Sequence, residues 1–134
     1  MILEDAEPNG LATIIGGLIE ANLAHHPDRV QLLRPAVVDL EAVDADVAVS
    51  IRIEPGTVRI ANGLSNPRAD LHLRSDSMSL VELAATPLRR GLPDALHREG
   101  RAVLLKVASG RIRIVGLLRH PGVLTRLAKL LSVA

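Results

Sequence analysis

Between Val47 and Ala61 a two-residue period runs twice: Val47, Val49, Ile51 and Ile53 alternate with Ala48, Ser50 and Arg52, and Val58 and Ile60 alternate with Thr57, Arg59 and Ala61. Side chains along a strand point to opposite faces in turn, so each run is a strand with one apolar and one wetted face. Glu54-Pro55-Gly56 between them is a tight turn, and the two form an antiparallel hairpin. A lone hairpin cannot bury its apolar face. Further strands follow from the same period: one over Val37, Val38 and Leu40, and one where Leu71 and Leu73 alternate with Asp70, His72 and Arg74. The last is Ser109-Gly110-Arg111-Ile112-Arg113-Ile114-Val115-Gly116, arginine out and isoleucine in, with glycines near its ends.

Helical periods supply the cover. Pro8-Asn9-Gly10 is a helix entry with Asn9 near the cap, and Leu11, Ile14, Ile15, Leu18, Ile19 and Leu23 recur at helical spacing until about His25 to Pro27. Gly16 and Gly17 inside that helix cost about 1 kcal/mol each relative to alanine, and mark either a close approach of backbone or ligand or a local kink. Asp28 opens a short second turn through Val30, Leu32 and Leu33. Ser75-Asp76 starts another helix carrying Met78, Leu80, Val81 and Leu83, which stops at Thr86-Pro87. After a connection at Leu88 to Leu92, Pro93-Asp94 opens helical residues to about Ala108, and a final helix runs from about Pro121 to Ser132. Residues 1–8 read as a flexible tail. Nothing marks a second domain or a repeat, and 134 residues suffice for one core.

That core has an unusual restriction: hydrophobic residues make up 48% of the chain, yet Phe, Tyr and Trp are absent. Leu, Val, Ile, Ala and two methionines must fill the space beneath the helices, which leaves two outcomes open, an internal apolar cavity or a packed aliphatic core. Without rings to stack bases, single-stranded nucleic acid is a poor partner. No cysteine is present, so disulfides and thiolate chemistry are excluded. Residues 1–67 carry net charge −6 and residues 68–134 net +7. A basic second half can attract an anionic headgroup, an acyl carrier or nucleic acid, or can be a solvated surface. The acidic start lacks the basic region of a signal peptide, and the longest apolar-rich run, Leu11 to Ile19, is far below the roughly 20 residues of a bilayer span. A soluble, cytoplasmic protein is expected.

Catalysis requires a poised constellation. The sequence has no Gly-x-Ser-x-Gly elbow, no Gly-rich phosphate loop ending in Lys-Ser/Thr, and no His-Glu-x-x-His helix. His25-His26 with Asp28 could hold a divalent metal, but adjacent histidines on a helix point in different directions, and a solvated helix end is the commoner reading. His72 falls on a polar strand face, and His97 and His120 have no partner at useful spacing. The expectation is a protein without enzymatic activity, metal or cofactor.

Two stretches carry a resemblance. Ala69-Asp70-Leu71-His72-Leu73-Arg74-Ser75-Asp76 is an alternating strand running straight into a capped helix, and Gly110-Arg111-Ile112-Arg113-Ile114-Val115-Gly116 is a late basic-apolar strand closed by glycine. With the order of elements from about Val37 to Leu131, they resemble the sterol carrier protein 2 (SCP2-like) domains. The chain departs from many relatives in having Leu117-Leu118 after the final glycine, where they have Asp or Asn, and in lacking aromatics. The resemblance implies an α+β fold: a five-stranded, mostly antiparallel sheet with helices over one face, and between the layers a tunnel for a sterol, fatty acid, acyl-CoA or phospholipid. Noncovalent lipid binding needs a continuous aliphatic lining. Met78, Val81, Leu83, Leu96, Val103, Leu104, Val107, Leu118, Leu124, Leu127 and Leu131 are the lining candidates, each equally readable as core, and Arg89, Arg90 or Arg119 would hold an acidic headgroup. The second reading is a scaffold or oligomerisation module that docks on a partner enzyme or on itself. Under either, the final helix, with Arg126 and Lys129 beside its leucines, can touch a membrane transiently.

Overall fold

The structure is a computed structural model that describes residues 1–65, 69–80, 88–89, 92–93, 105, 109, 112–116 and 119–131. The hairpin stands where the two-residue period puts it: β3 (Val47–Glu54) and β4 (Thr57–Asn62) pair antiparallel, with Ile51 opposite Ile60 and Glu54 opposite Thr57. Gly56 takes φ +81, the left-handed value that the residue after proline needs in a type II turn. β2 (Ala36–Ala42) pairs antiparallel with β3 and parallel with β5 (Leu71–Ser75), which pairs antiparallel with β8 (Arg113–Val115). A separate two-residue pair, β6 (Leu88–Arg89) with β7 (Leu92–Pro93), takes in the stretch expected as a plain connection and also Pro93, expected to open a helix.

Two expectations are corrected. Among the described residues the main sheet has six strands, not five: Ile2–Leu3 (β1) pairs beside β4, in the order β1-β4-β3-β2-β5-β8, with two of the five pairings parallel. The extra strand, β1 (Ile2–Leu3), lies in the stretch expected as a tail and is too short to show any period. It pairs parallel with β4, and the chain beyond stays tied: Glu4 N–H donates to the Ile60 carbonyl at 2.9 Å, and the Asp5 carboxylate accepts from Asn62 N–H at 2.7 Å. The last strand is also shorter than its sequence period. It covers Arg113–Val115 and stops at Gly116, whose φ of +95 bars further extension.

Helix α1 (Gly10–His25) is fixed at its entry by Asn9, whose side-chain oxygen accepts from Ala12 N–H at 2.8 Å while its amide nitrogen donates to the Ala48 carbonyl on β3 at 2.9 Å. One residue thus caps the helix and moors it to the sheet. The pair Gly16-Gly17 divides. A Cβ on Gly16 would stand 3.0 Å from the Met1 side-chain tip and 3.1 Å from a Leu3 methyl, whereas Gly17 faces open space. Close approach therefore explains Gly16, and side chains of the β1 segment make it. A 3-10 turn (Pro27–Leu32) leads into β2, and helix α2 (Pro121–Leu131) packs on α1 and on that turn.

Candidate functional site

The strand register assembles one continuous aliphatic floor. Ile60, Ile51, Val38 and Leu71 line up across β4, β3, β2 and β5; Val49, Leu40, Leu73 and Ile114 form the next row, running on to β8. All but the partly buried Ile114 are 3% exposed or less. Above the floor lie Ala12, Ile15 and Ile19 of α1 and Val123, Leu124, Leu127, Leu130 and Leu131 of α2, in the same cluster. Each such leucine or isoleucine contributes about 1.5–3 kcal/mol by leaving water. No aromatic ring interrupts this interface.

Of the eleven lining candidates, the structure places four. Leu124, Leu127 and Leu131 are buried between α2 and the rest of the core, at 2%, 2% and 8% exposure, and Met78 faces solvent at 65%. Val81, Leu83, Leu96, Val103, Leu104, Val107 and Leu118 lie outside the described residues, as do Arg90 and the Arg89 side chain. Arg119 is exposed. The three leucines of α2 are brought together on one inward stripe, at the spacing of one helix face.

At the end of β5 the floor turns polar. Asp76 caps the helical turn that begins at Ser77, accepting from Ser79 N–H at 3.0 Å and Ser79 O–H at 2.7 Å, and Ser75 and Ser79 are both 1% exposed. Asp44, from the loop after β2, accepts both the N–H and O–H of Ser77 at 2.9 Å, and those two bonds hold its carboxyl below the ordinary carboxylate value. A hydroxyl-rich corner thus adjoins an aliphatic layer. In sequence, Ser75-Asp76 marks only a helix start, and Asp44 carries no local signal because its partner lies 33 residues away.

The sheet's other face is wet. Glu41 on β2 faces His72 at 3.2 Å and Arg74 at 3.7 Å, and Glu54 faces Arg59 at 3.4 Å. Asp39, 5% exposed, accepts from both the N–H and O–H of Ser65, each at 3.0 Å. At the end of α1, His25 Nδ1 donates to the Ala21 carbonyl at 2.8 Å; among the described residues, no three His, Asp or Glu side chains converge as a metal site. No described helix is long and apolar enough to cross a membrane.

No family model matches the sequence, and no curated protein matches it. Seven solved chains match by structure. One, titled UbiJ-SCP2, a ubiquinone synthesis protein, is similar at a TM-score of 0.61 and 15% identity, over 90% of this chain and 95% of its own. Another is Pisa1, a stereoselective inverting sec-alkylsulfatase from Pseudomonas sp., at a TM-score of 0.53 and 15% identity, where 87% of this chain corresponds to only 14% of the enzyme. At such identities the likeness speaks for architecture alone: six strands, an aliphatic floor and a helical cover form an SCP2-like fold.

Proposed function

We propose that this protein belongs with the SCP2-like domains and binds an apolar or amphipathic lipid noncovalently between sheet and helices, without covalent chemistry of its own. The observation that carries the reading is the likeness to the UbiJ-SCP2 structure, which spans nearly the whole of both chains. Leu40, Leu73, Leu124 and Leu127, each 2–3% exposed, pack together in one ring-free core cluster; a methylene chain seated among such side chains would gain about 0.8 kcal/mol per methylene on leaving water.

Native purification followed by lipid extraction and mass spectrometry tests the proposal. The expected result is a stoichiometric lipid, replaced on incubation with a fatty-acid, sterol or isoprenoid panel. No recovered lipid and no binding across the panel would remove the carrier role. One observation favours a second reading, an accessory module beside an enzyme: the same architecture forms a small part of the much longer alkylsulfatase. Co-purification of a stoichiometric enzyme with ligand-free protein would select it.

A further inference from the structure

Helix α1 is apolar nearly all the way round, a pattern that ordinarily belongs to a helix buried on every side. Only one side is buried here, through Ala12, Ile15, Gly16, Ile19 and Asn22. On the other, Gly10, Ile14, Gly17, Ala21 and Ala24 are exposed, Ile14 at 59%, and nothing lies within 4 Å of where side chains at Gly10 and Gly17 would begin. These positions follow one another at alternating spacings of four and three, the spacing of a helix-pairing seam. Glu20 sits at its flank. Leu3, 37% exposed, packs on Gly16 at the edge of the buried side.

We propose that this face of α1 docks against α1 of a second copy of the chain, antiparallel, with the two-fold axis near Gly17. Small residues at the crossing let two helix backbones approach closely, and each Ile14 then lies over Gly17 and Ala21 of the other copy. Charge selects the occupant and its direction. The chain entering α1 carries Glu4, Asp5 and Glu7, with Arg59 3.9 Å from Glu4. The far end is basic: Arg29 donates to the Lys129 carbonyl at 2.9 Å and Asn22 to the Leu130 carbonyl at 2.8 Å, which sets the last turn of α2 beside the last turns of α1 and groups Arg29 with Lys129, opposed there by Asp28. An antiparallel pair lays each acidic end beside the other copy's basic end, twice by symmetry. A parallel pair sets like against like, and an anionic bilayer would repel the acidic end.

Light scattering across a concentration series tests the pairing on the full chain. The mass is expected to rise from 14.3 kDa toward twice that value, and Ile14→Glu, at a solvent-exposed position, to remain monomeric with an unchanged circular dichroism spectrum. The absence of native cysteine allows a second readout. Oxidised Gly17→Cys is expected to form a covalent dimer at least tenfold faster than Val43→Cys, a comparably open control. A constant mass of 14.3 kDa with equal cross-linking rates overturns the proposal. So does a monomer that sediments with phosphatidylglycerol vesicles and loses that binding in Ile14→Glu, since the face would then be a bilayer contact.

Discussion

Truncating Asn22 measures how the first and last helices are joined. Its amide nitrogen donates to the Leu130 carbonyl at 2.8 Å, across 108 residues of sequence, and Asn22 is 4% exposed. Carbonyls in the last turn of a helix have no partner within it, so Asn22 satisfies an acceptor of α2 that water reaches poorly. Asn22→Ala removes one hydrogen bond, a net loss near 1 kcal/mol, and leaves that buried acceptor unpaired, which brings the total to about 2 kcal/mol. Arg29 makes the equivalent bond to the neighbouring Lys129 carbonyl, but that bond is solvent-exposed and water can replace it, so its loss in Arg29→Ala is expected to cost about 0.5 kcal/mol. Urea unfolding of dilute protein reads both: with a slope near 2 kcal/mol per molar, Asn22→Ala lowers the midpoint by about 1 M and Arg29→Ala by a few tenths. If the two midpoints shift equally, or Asn22→Ala matches the parent, burial does not govern these bonds and the reasoning is wrong.

Two further outcomes follow from single residues. Gly116→Ala combines a left-handed φ with a Cβ that would overlap the Asp70 carbonyl, a backbone atom that cannot swing aside; a loss of about 3 kcal/mol or more is expected in thermal melts, and a loss below about 1 would mean β8 does not end as described. The depressed pKa of Asp44 means that its bonds to Ser77 stabilise the fold above the ordinary value of 3.8 and are lost as pH falls through the lower, folded-state value. Ser77→Ala removes the hydroxyl bond but keeps the N–H bond, the larger cause, so it should move the Asp44 titration midpoint part of the way upward by NMR; an unchanged midpoint would show that the hydroxyl contributes nothing to the shift.

What could be read from the sequence is what local period encodes. The β3-β4 hairpin, the span and Asn9 cap of α1, and the inward stripe of Leu124, Leu127 and Leu131 all stand close to where alternation, turn chemistry and helical spacing put them. Each depends on residues a few positions apart, so sequence order alone determined it. Tertiary structure decided what joins distant segments: the parallel seating of Ile2–Leu3 on β4, the parallel β2-β5 pairing, and the bonds from Ser77 to Asp44 and from Asn22 to Leu130. Strand order and buried polar partners depend on which edges and acceptors remain unsatisfied once the chain has folded, and no period records that. Gly16 and Gly17 carry the same distinction, identical neighbours in sequence of which one lies under Met1 and Leu3 and the other faces open space.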